Sequence, residues 1–260
     1  GNTLATIITV SNQKGGVGKT TTSAALATGL CLAGRKVLGV DLDPQGNLGF
    51  CLGLEAANHH TVLDALKGLA PVREAICQTD YCDILASDIT LSSGVEQAAA
   101  EHRECILKNT LAPVMEEYDY VIIDTPPALN LLTVNAYTVS DFLIIPMASD
   151  ILSLVGLAQL KETIESVRGG LNPRLHVLGI LLTRYNKRTL LSQEVLDVAR
   201  QLAQQINTVV FESKIRNGVA IAEAPAHGES IFDYNPRSAA VKDYMAFIDE
   251  IAETIHLKEA

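Results

Sequence analysis

The chain has 260 residues, 48% of them hydrophobic and 19% charged, and it contains no tryptophan. That apolar content excludes a disordered chain, and the length allows one large domain or two small ones with a substantial core. The formal net charge of −10 excludes a globally basic nucleic-acid coat, so any contact with nucleic acid has to use a local basic patch.

The predicted elements alternate along the chain. Thr6–Val10 is β-branched and apolar and reads as a buried strand. A loop with Gly15, Gly16 and Gly18 follows, and Lys19 and Thr20 open a helix rich in Ala, Leu and Thr. Gly34-Arg35-Lys36 stops that helix, and Val37–Leu42 reads as a second strand. Residues 48–80 look irregular with short helices such as Val62–Leu69, and Asp83–Ser87 reads as a short strand. Glu96–Glu117 has a helical pattern broken at Pro113. Tyr120–Asp124, Phe142–Pro146 and Val177–Thr183 are apolar runs that read as buried strands, with Val209–Phe211 as a last one. Leu154–Val167, Thr189–Ile206 and residues 237–256 read as helices. No apolar run approaches a membrane span, and the opening residues lack a signal-peptide pattern.

Apolar strands alternating with helices predict an α/β fold, a mostly parallel sheet covered by helices on both faces. No linker or repeat interrupts the pattern, so residues 1–260 are read as a single domain. In such a sheet ligands sit at the carboxyl ends of the strands. The glycine loop, Asp43, Asp124 and Pro146 all follow strand ends and are expected to converge on one edge.

A strand, a glycine loop, Lys-Thr and a helix form the context of a phosphate-binding P-loop. Polyphosphate requires many inward-pointing N–H donors, and glycine lets the backbone approach without a Cβ clash. The helix N-terminus adds partial positive charge. In this context Lys19 reaches the β- and γ-phosphates and the Thr20 hydroxyl ligates Mg²⁺. An ordinary glycine turn does not explain why Lys-Thr follows Gly18 directly. Asp124 ends a buried strand and fits the carboxylate that holds Mg²⁺, although strand-ending helix caps are also common. The general P-loop pattern puts its first glycine at residue 13, where this chain has Gln13, and Lys14 follows. On spacing alone Lys14 reads equally well as a functional cation or a solvated loop charge. Cys31, Cys51, Cys77, Cys82 and Cys105 are scattered and form no C-x-x-C, which reads as reduced thiols rather than disulfides or zinc.

KGGVGKT with its extra Lys14, DLDPQGN at residues 41–47, LLTRYNKRT at 181–189 and AEAPAHGESIFDYNPRS at 222–238 together resemble the ParA family. This is a branch of the ParA/MinD superfamily of deviant Walker A ATPases. The resemblance implies the P-loop NTPase fold and a Mg²⁺-dependent hydrolysis of ATP. It implies catalytic roles for Lys14, Lys19 and Asp43, with Asp43 orienting the attacking water and Asp41 supporting Mg²⁺ or the water network. Lys14, Gly15, Gly16, Val17, Gly18, Lys19, Thr20 and Thr21 are the implied phosphate contacts. Thr183, Arg184 and the segment around Phe211 are expected near the base, and Thr20, Asp43 and Asp124 at the metal. The turn after Asp124, Thr125-Pro126-Pro127, is expected to respond to the γ-phosphate.

ParA-like proteins form an ATP-sandwich homodimer, bind DNA without sequence preference, and are stimulated by a ParB-like or cargo-specific adaptor. A cytoplasmic, nucleoid-associated protein that segregates a plasmid or chromosome is therefore implied. Lys187, Arg188, Lys214, Arg216, Arg237 and Lys242, with Arg184, are the candidate DNA cations. A second arginine used by some family members falls on Ala220 here. A relative that positions a protein organelle or receptor cluster would share these motifs. A MinD-like membrane ATPase needs a C-terminal amphipathic anchor, and none is evident beyond the closing helix. An electron carrier like the nitrogenase iron protein needs paired cysteines, and none follows the Asp124 strand.

Overall fold

The computed structural model describes residues 3–12, 18–55, 59–98, 101–217 and 230–259. Lys14, Gly15, Gly16, Val17, Ala220 and residues 222–229 of the 222–238 segment lie outside the described residues. The strands are β1 (Thr6–Val10), β2 (Val37–Asp41), β3 (Cys77–Gln78), β4 (Asp83–Leu85), β5 (Tyr120–Asp124), β6 (Phe142–Ala148) and β7 (His176–Thr183). The helices are α1 (Lys19–Leu32), α2 (Asn47–Cys51), α3 (Val62–Leu66), α4 (Val72–Ala75), α5 (Leu91–Gly94), α6 (Ile106–Leu111), α7 (Leu131–Val139), α8 (Ile151–Arg168), α9 (Leu190–Gln205), α10 (Ile231–Tyr234) and α11 (Ala239–Glu259).

The seven strands form one sheet in the order β3-β4-β2-β5-β1-β6-β7. All pairs are parallel except β3 with β4, a short antiparallel edge that the apolar pattern does not announce. Successive strand residues feed opposite cores, which is why the strands read as continuous apolar runs. Ile7, Val121 and Ile123 point to the face covered by α7, α8 and α9. Ile8 and Ile122 point to the face covered by α1 and α11. The mostly parallel P-loop fold expected from the sequence is the fold observed.

Several expected elements differ. The helical stretch over Glu96–Glu117 is only α6, flanked by 3₁₀ turns at Val95–Gln97, Arg103–Cys105 and Ala112–Val114. His102 takes a left-handed φ of 54° and Pro113 sits in the last turn, so no continuous helix can run through. The Val62 helix stops at Leu66, because Gly68 turns the chain at φ 73°. Helix α7 has no counterpart in the sequence reading. Its run LLTVNAYTV has little apolar period, and the Asn130 side chain caps it by accepting from the Leu132 and Thr133 N–H groups.

Val209–Phe211 does not become a strand. It makes one isolated bridge, Val210 with Ile180. Beyond it the Glu212 and Ser213 N–H groups donate to the Glu250 carboxylate of α11, at 3.0 and 2.9 Å, instead of to β7.

Candidate nucleotide site and basic rim

The register of the sheet builds the centre of the site. Val10 pairs with Asp124, and Asp124 pairs with Asp41, so these positions are level across three parallel strands. Partners in register point to the same face, and Asp41 and Asp124 are therefore neighbours, both fully buried. Helix α1 starts over that same face and turns three of its residues onto Asp124.

The Lys19 Nζ lies 3.0 Å from Asp124 Oδ1, the Thr20 hydroxyl donates to Asp124 Oδ2 at 2.9 Å, and the Ser23 hydroxyl donates to Asp124 Oδ1 at 3.0 Å. Lys19 is 6% exposed and also stands 3.7 Å from Asp43 Oδ2. One lysine thus faces two of the three buried carboxylates at the edge. Ser23 is absent from the motif reading, but its place was accessible. It stands four residues after Lys19, one helical turn on, so it shares the lysine's face.

Asp41 also holds the backbone of the neighbouring loop. Its Oδ1 accepts the Asp43 N–H at 2.9 Å and its Oδ2 accepts the Leu48 N–H at 3.2 Å. The carboxylate clamps both ends of the loop that carries Asp43. Burial pushes the Asp41 carboxyl well above the usual range, and the neighbouring Asp124 charge pushes it further; the Asp43 N–H bond and Lys19 oppose that rise. Asp43 itself accepts the Gln45 N–H at 3.1 Å, and Gly46 closes the turn at φ 70°. A Cβ at Gly46 would stand 2.8 Å from the Ser87 carbonyl oxygen, so only glycine fits.

At the start of α1, Gly18 takes φ 81°. A Cβ there would meet the Thr183 methyl at 3.4 Å, so the end of β7 packs directly under the helix entry. Thr183 is buried, Arg184 is exposed with a left-handed φ of 50°, and Thr21 is half-buried on the first turn of α1. Phe211, by contrast, is spent in the core. It packs under Gly179 in the middle of β7 and edge-on to Phe247 of α11. The segment that does reach the end of β7 is Ile215–Asn217, through the Ile215 N–H to Leu182 and the Tyr185 N–H to Ile215. The Thr125 hydroxyl donates to the Val10 carbonyl at 3.0 Å, which ties the turn after Asp124 to the strand before the loop.

Four of the seven candidate DNA cations gather beside this edge. Lys187, Arg188, Lys214 and Arg216 line one open depression of about 640 Å³ with Tyr185, Asn186 and Asn217. The other three, Arg184, Arg237 and Lys242, are exposed but do not line it. The four cations are not equivalent. Arg216 is held by Asp243 through three contacts of 2.8 to 3.2 Å. Lys214 donates to the Phe211 and Glu212 carbonyls and is drawn below its ordinary pKa by burial. Lys187 and Arg188 are exposed, with no carboxylate in ion-pair range among the described residues. Their loop is nevertheless shaped, because the Arg188 N–H donates to Asn186 Oδ1 and Gln193 donates to the Lys187 carbonyl.

Residues 5–177 match the family model described as an AAA domain. The chain is 38% identical over 251 residues to a chromosome partitioning protein ParA of Caulobacter vibrioides, covering 94% of this chain and 93% of that one. It is 40% identical over 250 residues to the sporulation initiation inhibitor protein Soj of Bacillus subtilis, covering 95% and 98%. Among solved structures, a cobyrinic acid a,c-diamide synthase from Mycobacterium smegmatis, with bound ADP and magnesium, superposes with a TM-score of 0.81. That match has 33% identity and covers 95% of this chain and 93% of that one.

Proposed function

This chain belongs to the ParA family of partitioning P-loop ATPases, and from that premise we propose that it is a Mg²⁺-dependent ATPase that cycles between a monomer and an ATP-sandwich dimer and uses DNA as the surface on which it positions its cargo. The observation that carries the reading is the interlocked set of Lys19, Thr20, Asp43 and Asp124 at the carboxyl edge of the sheet.

The donors there are a hydroxyl and carboxylates, without sulfur or imidazole, which suits a hard cation such as Mg²⁺. Thr20, Asp124 and Asp43 would hold that ion, which when bound would neutralise charge on the phosphates. Lys19 exchanges its carboxylate partners for β- and γ-phosphate oxygens, with the backbone N–H groups of Gly15, Gly16, Val17 and Gly18 around them. Asp43 orients the attacking water, and the two-bond clamp from Asp41 fixes the loop on which it stands. Thr183 and Arg184, beside the helix entry, border the base.

Lys14 reaches the partner's nucleotide across a two-fold interface, and the partner returns the contact. A face beside the site supports this arrangement. Ile151, Leu152 and Val155 on the first turns of α8 are 66%, 68% and 56% exposed. The same helix approaches the residues between β1 and the loop, where a Cβ at Gly156 would lie 3.6 Å from Asn12 Oδ1. The basic depression at the end of β7 supplies the local positive field that a chain of net charge −10 needs in order to meet DNA phosphates. Relatives named for chromosome partition favour a chromosome or plasmid as cargo, with a ParB-like adaptor stimulating hydrolysis in the nucleoid-associated protein.

Light scattering with ATP decides the dimer. Wild type and Asp43→Ala should double in mass with ATP, and Asp43→Ala should stay dimeric longer. Lys14→Ala should keep ATP binding through Lys19 and remain monomeric. A wild type that stays monomeric with ATP, or a Lys14→Ala protein that dimerises equally well, would overturn the sandwich.

A further inference from the structure

Helix α1 crosses the whole sheet. It begins at the nucleotide edge with Lys19 and ends at the opposite, amino edge, where Cys31 stands in its last turn. Cys82 immediately precedes β4, one residue before the Leu38–Asp83 register pair, and so lies level with Val37 at the same amino edge. The two thiols are close enough for each to shift the other's ionisation. Both border one solvent-open cavity of about 380 Å³, which Arg35, Lys36 and Asp83 also line. Nothing in the nucleotide chemistry uses this place.

We propose that Cys31 and Cys82 form a reactive dithiol, a modification site that takes a peroxide-class oxidant and closes to an intramolecular disulfide. The two sulfurs are unequal in the way the chemistry requires. Cys31 is half-buried at the cavity and Cys82 is buried behind it. The neighbouring Cys82 thiol, helped by the Val37 N–H, holds the Cys31 thiol below its ordinary value despite burial and the Asp83 charge. Cys82, by its neighbour Cys31 and by burial, is pushed well above its own. Cys31 is thus the attacking thiolate and Cys82 the resolving thiol. The backbone around Cys82 is fixed, since its N–H donates to the Thr79 hydroxyl and its carbonyl accepts from both the Thr79 N–H and the Thr79 hydroxyl. Closure to the S–S length of about 2.05 Å therefore falls on Cys31, at the helix end.

The balance is simple. The Cys31 thiolate attacks a peroxide oxygen, the O–O bond breaks, and water leaves once the departing oxygen is protonated, with Cys31 now a sulfenic acid. The Cys82 sulfur attacks the Cys31 sulfur, the S–O bond breaks, and the hydroxyl departs as a second water with the Cys82 proton. Two thiols are oxidised by two electrons and one peroxide is reduced to two waters.

Hydrogen peroxide on the purified, reduced chain tests this without reference to ATP. Intact mass should fall by two hydrogens, peptide mapping should join Cys31 to Cys82, and dithiothreitol should reverse both changes. In Cys82→Ser, Cys31 should stop as a sulfenic acid that dimedone traps; in Cys31→Ser, Cys82 should stay reduced. Should either variant fail to fold, iodoacetamide labelling of wild type still decides. Cys31 should react severalfold faster than Cys77, which is also half-buried but has its thiol pushed up by burial. A disulfide elsewhere, no disulfide at all, or a Cys31 no faster than Cys77 would overturn the assignment.

Discussion

The carboxyl edge around Asp124 and the rim at the end of β7 both concentrate charge, and they hold it in opposite ways. At the edge, Lys19 is buried, and every neighbour that fixes it is a charged or hydrogen-bonding group on another element. On the rim, Lys187 and Arg188 stand in solvent on a loop whose backbone, not its side chains, is held. A buried charge acts at short range in low dielectric and fails abruptly when one partner is removed. A solvated charge acts through a salt-screened field and can be lost singly at modest cost. The same chain thus carries a site suited to switching and a surface suited to loose, sequence-independent contact.

Removing Lys19 should break that comparison hardest. Lys19→Ala should reduce ATP turnover by at least about 100-fold, read as phosphate release. It should also leave the buried carboxylates without their cation and cost the nucleotide-free protein about 3 kcal/mol in chemical denaturation. Turnover equal to wild type would refute the phosphate role.

Asp43→Ala comes next. Turnover should fall while equilibrium ATP binding is kept, because Asp43 touches the water rather than the bound phosphates in the proposed reaction. Loss of ATP binding in parallel with turnover would reassign Asp43 to the phosphates.

On the rim the effects are smaller and graded. Arg188→Glu should weaken DNA binding on every duplex sequence alike and reduce the salt slope by about one unit or more, measured by fluorescence anisotropy across a salt series. Arg216→Ala should change that slope by less than about half a unit, because Asp243 already neutralises the guanidinium. Equal effects at the two arginines would show that the Asp243 pairing does not persist against DNA.

The smallest expected change tests how the rim is mounted. Glu250→Ala removes the acceptor of the Glu212 and Ser213 N–H groups and should cost about 1 kcal/mol. Hydrogen exchange should rise over residues 209–216 and stay unchanged at α1. A change at α1 as large as that at the rim would mean the two regions are mechanically one.

What the sequence by itself determined is what local physics encodes. Thr6–Val10, Tyr120–Asp124 and Phe142–Pro146 are apolar on both faces, so they could only be central strands of a covered parallel sheet. Lys-Thr after Gly18, and aspartates directly after or at the end of apolar strands, marked the edge because the end of a strand is fixed in the chain itself. Tertiary structure alone decided the rest. The level register of Asp41 with Asp124 is a property of two strands far apart in sequence, and it sets two buried carboxylates side by side. Val209–Phe211 has strand composition, yet Glu250, on a helix that follows much later, takes the next N–H groups and interrupts the pairing. Which cations would share a depression was equally hidden, since Lys187 and Arg216 meet only because the 215–217 segment returns beside β7. Spacing along the chain carries periodicity and turn chemistry, whereas partner choice between distant segments is set by how their side chains pack, and that information exists only once the chain has folded.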